Sequence, residues 1–147
     1  MATSPLFASV FVIGQVRNLA VANTASDGSG TINIFQKNGN GGNYSAVAAG
    51  SRLDRINIIN SQATAAASSA MVIRIFVSDA AGANWVLIRE VALATATRST
   101  TVIGATTQIL FPSGLVLASG QQLGVVQSVY AGVQDTMSYI AEFAELT

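Results

Sequence analysis

Short stretches in which apolar and polar residues alternate recur along this chain, and each closes on a cluster of Gly, Asn, Asp or Ser. Successive side chains on an extended strand point to opposite faces, so a period of two makes one face apolar. The turn clusters recur roughly every 8 to 15 residues, which is strand-and-turn spacing and too short for a bundle of helices. The pattern predicts an all-β fold, with about eight antiparallel strands in a two-sheet, jelly-roll-like sandwich.

Strands are expected at 15–22, 31–36, 52–60, 70–78, 84–94, 106–111, 115–117, 122–130 and 137–146. Within 52–60, Ile56 and Ile58 fall on one parity and Leu53 and Ile59 on the other. The strands at 70–78 and 84–94 are joined by a gap of hairpin length, in a register that sets Arg74 opposite Glu90. The alanine-rich segment 62–70 reads as a loop or a single turn. Residues 15–147 are taken as a single β-sandwich domain and residues 1–14 as an N-terminal arm. Phe7, Val10, Phe11, Val12 and Ile13 make that arm too apolar to stand in water, so it is either a strand of the domain's own sheet or a segment docked on a neighbour.

The chain has no Cys and no His, which removes disulfides, thiol chemistry, the commonest general base and the commonest transition-metal ligand. Seven Lys and Arg balance seven Asp and Glu, so there is no basic field for nucleic acid and no polybasic patch for a membrane surface. No apolar run reaches the ~20 residues of a spanning helix, and the run at 6–13 has no basic residue ahead of it, so it is not read as a signal peptide. A serine nucleophile would need Lys37 as its base, and Lys37 lies in a Gly-Asn loop. Asp27, Asp79 and Asp135 sit in turns, where Asp bonds its own backbone, while Asp54, Glu90 and Glu142 have arginines to pair with. The glycine clusters match no phosphate-binding loop. No enzyme and no cofactor is expected.

Charged residues make up only 10% of the chain, less than half of the ~25% usual in a solitary soluble domain. Much of the exterior is therefore expected to face protein. Six of the seven cations are Arg, the residue suited to fixed contacts at interfaces.

The run Gly50-Ser51-Arg52-Leu53-Asp54-Arg55-Ile56-Asn57-Ile58, continued by 72–79, by Leu87-Ile88-Arg89-Glu90-Val91 and by Gly114-Leu115-Val116-Leu117 with Gly120, resembles a group of small virion proteins of tailed bacteriophages. The likeness covers about residues 45–130 and carries no catalytic motif. It implies a β-sandwich component of the phage particle, made in the host cytoplasm. Such a component is a homotrimeric capsid decoration (cement) protein bound across copies of the major capsid protein, or a part of a fibre. In the first case the partner contacts are expected at Pro5, Leu6, Phe7, Val10, Phe11, Val12 and Ile13 of the arm, with Arg17, Arg52 and Arg55 as ionic contacts. The alternative is a tail-fibre or baseplate domain that recognises a host glycan through Trp85 and the tyrosines Tyr44, Tyr130 and Tyr139.

Overall fold

The computed structural model describes residues 8–38, 42–61, 64–98 and 106–147. The strands are β1 (Ala8–Leu19), β2 (Asn33–Ile34), β3 (Gln36–Lys37), β4 (Ser51–Asn60), β5 (Thr64–Ala67), β6 (Met71–Val77), β7 (Val86–Leu93), β8 (Thr97–Arg98), β9 (Thr106–Leu117), β10 (Leu123–Gln127) and β11 (Met137–Leu146), with one 3₁₀ turn at Val133–Asp135. They form a five-stranded sheet in the order β3-β1-β11-β4-β9, a four-stranded sheet in the order β2-β10-β6-β7, and a small ladder of β5 on β8. All pairings within these sheets are antiparallel. With β3, β5 and β8 set aside, every connection passes from one main sheet to the other except the β6–β7 hairpin. That is the interleaving of a jelly roll.

The expected boundary at residue 14 falls inside a strand. Val10 to Val16 pair in continuous register with Glu145 to Tyr139, so residues 8–14 belong to the domain's own sheet. Of the two fates open to this segment, strand wins because alternation there serves the core: Val12 is buried, and a side chain at Gly14 would strike the Phe143 ring. The segment expected as a loop at 62–70 contains β5, whose Thr64 and Ala67 pair with Arg98 and Thr97. The predicted cross-strand pair is present: Arg74 lies opposite Glu90, with 2.7 Å between Arg74 Nε and Glu90 Oε1.

The core lies between the main sheets, built from Leu53, Ile56 and Ile58 of β4, Ile73 and Ile75 of β6, Val125 of β10, and Tyr139 and Phe143 of β11. Leu53 and Ile56 share this face although their parities differ, because Asp54 is an extra residue in β4: Arg55 pairs with Glu142, and Leu53 with Phe143. A one-residue bulge flips the alternation. Opposite it, β9 carries 111–114 as an excursion, since Leu110 pairs with Arg55 and Leu115 with Leu53.

Buried polar groups are mostly bonded to one another, as a water-free interior requires. Tyr44 stacks on Phe143 with ring centroids 4.2 Å apart and donates to Ser51 Oγ at 2.7 Å. Tyr139 donates to Gln127 Oε1 at 3.0 Å, and Gln127 Nε2 donates to the carbonyls of Val129 and Asp135. Burial raises the pKa of both tyrosines, which keeps the hydroxyls protonated as donors. Asp135 is fully buried and accepts from the Ser69 N–H and hydroxyl and from the Ala131 N–H, tying the start of β6 to the β10–β11 connection.

The outward face of the four-stranded sheet is covered by the chain itself. Phe76 and Val126 point away from the core cluster yet are fully buried. Above them the segment after β1 is pinned down: Asn23 N–H donates to the Gln127 carbonyl, Arg74 Nη1 donates to the Thr24 carbonyl, and Ile32 and Trp85 press on Gly124.

Candidate functional site

The outward face of the five-stranded sheet has no such cover among the described residues. Two rows of side chains cross it in register. One runs Phe11, Ala144, Arg52, Val116 from β1 through β11 and β4 to β9, and the next runs Ile13, Glu142, Arg55, Leu110. Directly paired residues on antiparallel strands share a face, so eight residues from four distant parts of the chain make one surface. Its apolar members are open to solvent: Phe11 is 78% exposed, Val116 61%, Leu110 55% and Ile13 45%. At ~4.8 Å between strands, β1 and β9 stand about 14 Å apart, so the two apolar edges flank a charged middle.

That middle is already neutralised. Arg52 donates through Nε and Nη2 to the two carboxylate oxygens of Asp54 at 2.8 and 3.3 Å, and Arg55 Nε stands 2.8 Å from Glu142 Oε2. Asn57 Nδ2 donates to Glu142 Oε1 at 3.3 Å, and Gln108 Nε2 donates to Asn57 Oδ1 at 2.9 Å, which extends the polar net toward the start of β9. The β4 bulge is what puts Arg52 and Arg55 on one face with Asp54 between them. Gly114 (φ 70°) lets the 111–114 excursion close over the aliphatic part of Arg52, where a Cβ would come within 2.4 Å of Cγ and Cδ. A shallow notch lined by Arg52, Asp54, Arg55, Leu110, Phe111, Pro112, Ser113 and Gly114 results.

Of the contact residues expected from the sequence, Phe11, Ile13, Arg52 and Arg55 come together here, with Val10 exposed at the same end of β1. Val12 does not, because it points between the sheets and is buried. Arg17 is exposed further along β1, where its Nε donates to Gln15 Oε1, and it lines a polar notch with Asn33, Gln36 and Asn43. Pro5, Leu6 and Phe7 lie outside the described residues. Leu110 and Val116 were missed by the sequence reading. The signal for the first was present in the adjacent pair Ile109-Leu110, since two neighbours on a strand cannot both face the core.

The aromatic residues weighed for a glycan do not form a common platform, because Tyr44 and Tyr139 are in the core. Trp85 and Tyr130 are half-buried, Trp85 in a notch with Asp27, Gly28, Ser29, Asn84 and Val86. Asp54, Glu90 and Glu142 are each engaged by an arginine, and among the described residues no group of three or more metal-ligating side chains occurs. No helix among the described residues is long and apolar enough to cross a membrane. No protein-family model and no curated protein matches this chain.

Proposed function

We propose that this protein is a structural component of a tailed-phage particle, a decoration protein that seats the outward face of its larger sheet on the major capsid protein and stabilises the shell. The observation that carries the reading is the in-register surface of Phe11, Ile13, Leu110 and Val116 around two closed ion pairs. An exposed apolar patch of this kind on a chain of low charge fits a protein contact, and its internal ion pairs fit a partner surface of little net charge. Attachment to the assembled shell alone would stabilise the shell by mass action. A homotrimer would present three such faces at once and multiply a modest contact into a firm one.

The test is decoration of purified particles by Phe11→Asp, Val116→Asp and the double variant, read as occupancy by electron microscopy. Point substitutions are the right probe, because deleting residues 2–13 would remove half of β1 along with any contact. The expected result is loss of at least about tenfold in affinity for the double variant, with an unchanged folded monomer. Full occupancy by the double variant would refute the proposed face, and density on the tail would refute the head location. The glycan reading keeps Trp85 as its one aromatic candidate in a notch with Asn84 and Asp27, and a glycan array on which Trp85→Ala behaves as the parent does would end it.

A further inference from the structure

A second opening lies at one end of the sandwich, between the two main sheets and away from the face described above. It has a volume of about 180 Å³ and is lined by Ile58 and Asn60 of β4, Ser68, residues 92–96 from the end of β7 onward, Thr107 of β9 and Met137 of β11. Asn60 is 3% exposed, and its Oδ1 meets no donor. The amide cannot be turned over to cure this. Its Nδ2 donates to the Gln134 carbonyl at 3.3 Å, and the reverse orientation would set two acceptors against each other. Nor does Ser68 Oγ supply the partner at the price of nothing, since it is already the acceptor for the Ala96 N–H at 3.1 Å. A buried amide oxygen without a donor costs free energy comparable to a lost hydrogen bond, and in native proteins it marks a place where something else binds.

We propose that this opening is a binding site for a compact, neutral, mainly apolar molecule that carries one hydroxyl donor, which it gives to Asn60 Oδ1. Three features set that chemistry. The volume is close to the ~150 Å³ of a cavity that accommodates benzene, so the body is a single ring or a chain of similar bulk. Ile58, Leu93, Met137 and the alanine side chains offer it apolar contact. None of the described lining residues is ionisable, so a charged ligand would be desolvated with no counter-charge.

Phenol and anisole share a ring, and only phenol can donate, so the comparison between them decides the matter in the unmodified protein. Titration followed by amide NMR is expected to move Ile58, Asn60, Ser68, Leu93 and Thr107 with phenol, and anisole is expected to bind at least about fivefold more weakly. Asn60→Leu, if it folds, should erase the difference. Equal binding of the two probes would overturn the donor assignment. A crystal structure in which water alone satisfies Asn60 Oδ1, undisplaced by phenol, would overturn the site.

Discussion

The two main sheets each carry apolar residues on their outward faces, and the chain treats the two faces differently. On the four-stranded sheet Phe76 and Val126 are 0% and 1% exposed beneath the segment pinned by Asn23 and Arg74, whereas on the five-stranded sheet Phe11, Ile13, Leu110 and Val116 stand open. The first face holds its cover by specific means. A glycine at 124 admits Ile32 and Trp85, and Asn23 knots the covering loop, donating to the carbonyls of Ser29 and Thr31 and accepting from Ala25 N–H. The second face has its charges closed into pairs and its apolar edges unpartnered. Apolar area left in water gains nothing for the isolated fold, so the contrast locates where a partner would contribute.

The comparison is broken most forcefully by one substitution on each face. Phe76→Ala should cost about 3–5 kcal/mol in urea denaturation, the range for a fully buried aromatic that leaves a cavity. Phe11→Ala should cost less than about 1 kcal/mol, since the ring is already in water. Equal losses would mean that Phe11 is covered in the isolated protein.

That contrast also marks the limit of what was legible in the residues. Alternation revealed the strands, the hairpin and the Arg74–Glu90 register because those are local: a period, a turn length and a pairing between neighbours in the chain. The bulge at Asp54 was not legible. An inserted residue has no compositional mark, and it moved Leu53 onto the face of Ile56 and Ile58. In the run Val10-Phe11-Val12-Ile13 both parities are apolar, so the residues themselves do not say which side is covered. Whether Phe11 meets Arg52 depends on β11 lying between β1 and β4, a fact of sheet order joining residues some forty apart. Arg52 and Arg55 were expected as contacts with a partner. Their charges are taken up within the face, which changes the contact they would make from an ion pair to a neutral, hydrogen-bonded surface.

Glycines sharpen the comparison at the next level. In Gly124→Ala the new Cβ would stand 2.3 Å from Ile32 Cγ2 and 3.0 Å from the Trp85 ring. Lifting the cover should cost about 1–3 kcal/mol by overpacking. In Gly114→Ala on the bare face, the side chain of Arg52 can swing into solvent, leaving about 1 kcal/mol for the left-handed backbone at φ 70°. Thermal melts of the two variants should rank in that order.

Breaking an ion pair tests the neutral character of the bare face. Asp54→Asn should change monomer stability by less than about 1 kcal/mol, because the Arg52–Asp54 pair is half-exposed. Its larger effect is on attachment. The parent should bind particles with little dependence on salt, while the variant, left with the Arg52 charge unbalanced, should bind with an affinity that changes as ionic strength rises. A parent already strongly salt-dependent would show that the closed pairs open on binding.

The smallest effect is expected in the loop over the covered face, and its sign follows from Asp27. The Asp27 carboxylate accepts the Ser29 N–H at 2.9 Å, and hydrogen bonding from the Ser29 side chain and backbone holds its pKa below the ordinary 3.8. A carboxyl whose pKa is lower in the folded state contributes its stability in full above the unfolded value and loses it as pH falls through the folded one. The difference in stability between the parent and Asp27→Ala should therefore be constant from neutral pH down to about pH 4 and should shrink below that. Amide exchange at residues 23–31 is the sensitive readout, because a loop opens locally before the sandwich unfolds. If acid loosens this loop, exchange should rise there while Leu53, Ile73 and Tyr139 stay protected. A parallel rise in the core would mean that the cover and the sandwich come apart together, making the covered face a part of the fold's cooperative unit and leaving the bare face as the one surface the domain can lose contact with at no cost to itself.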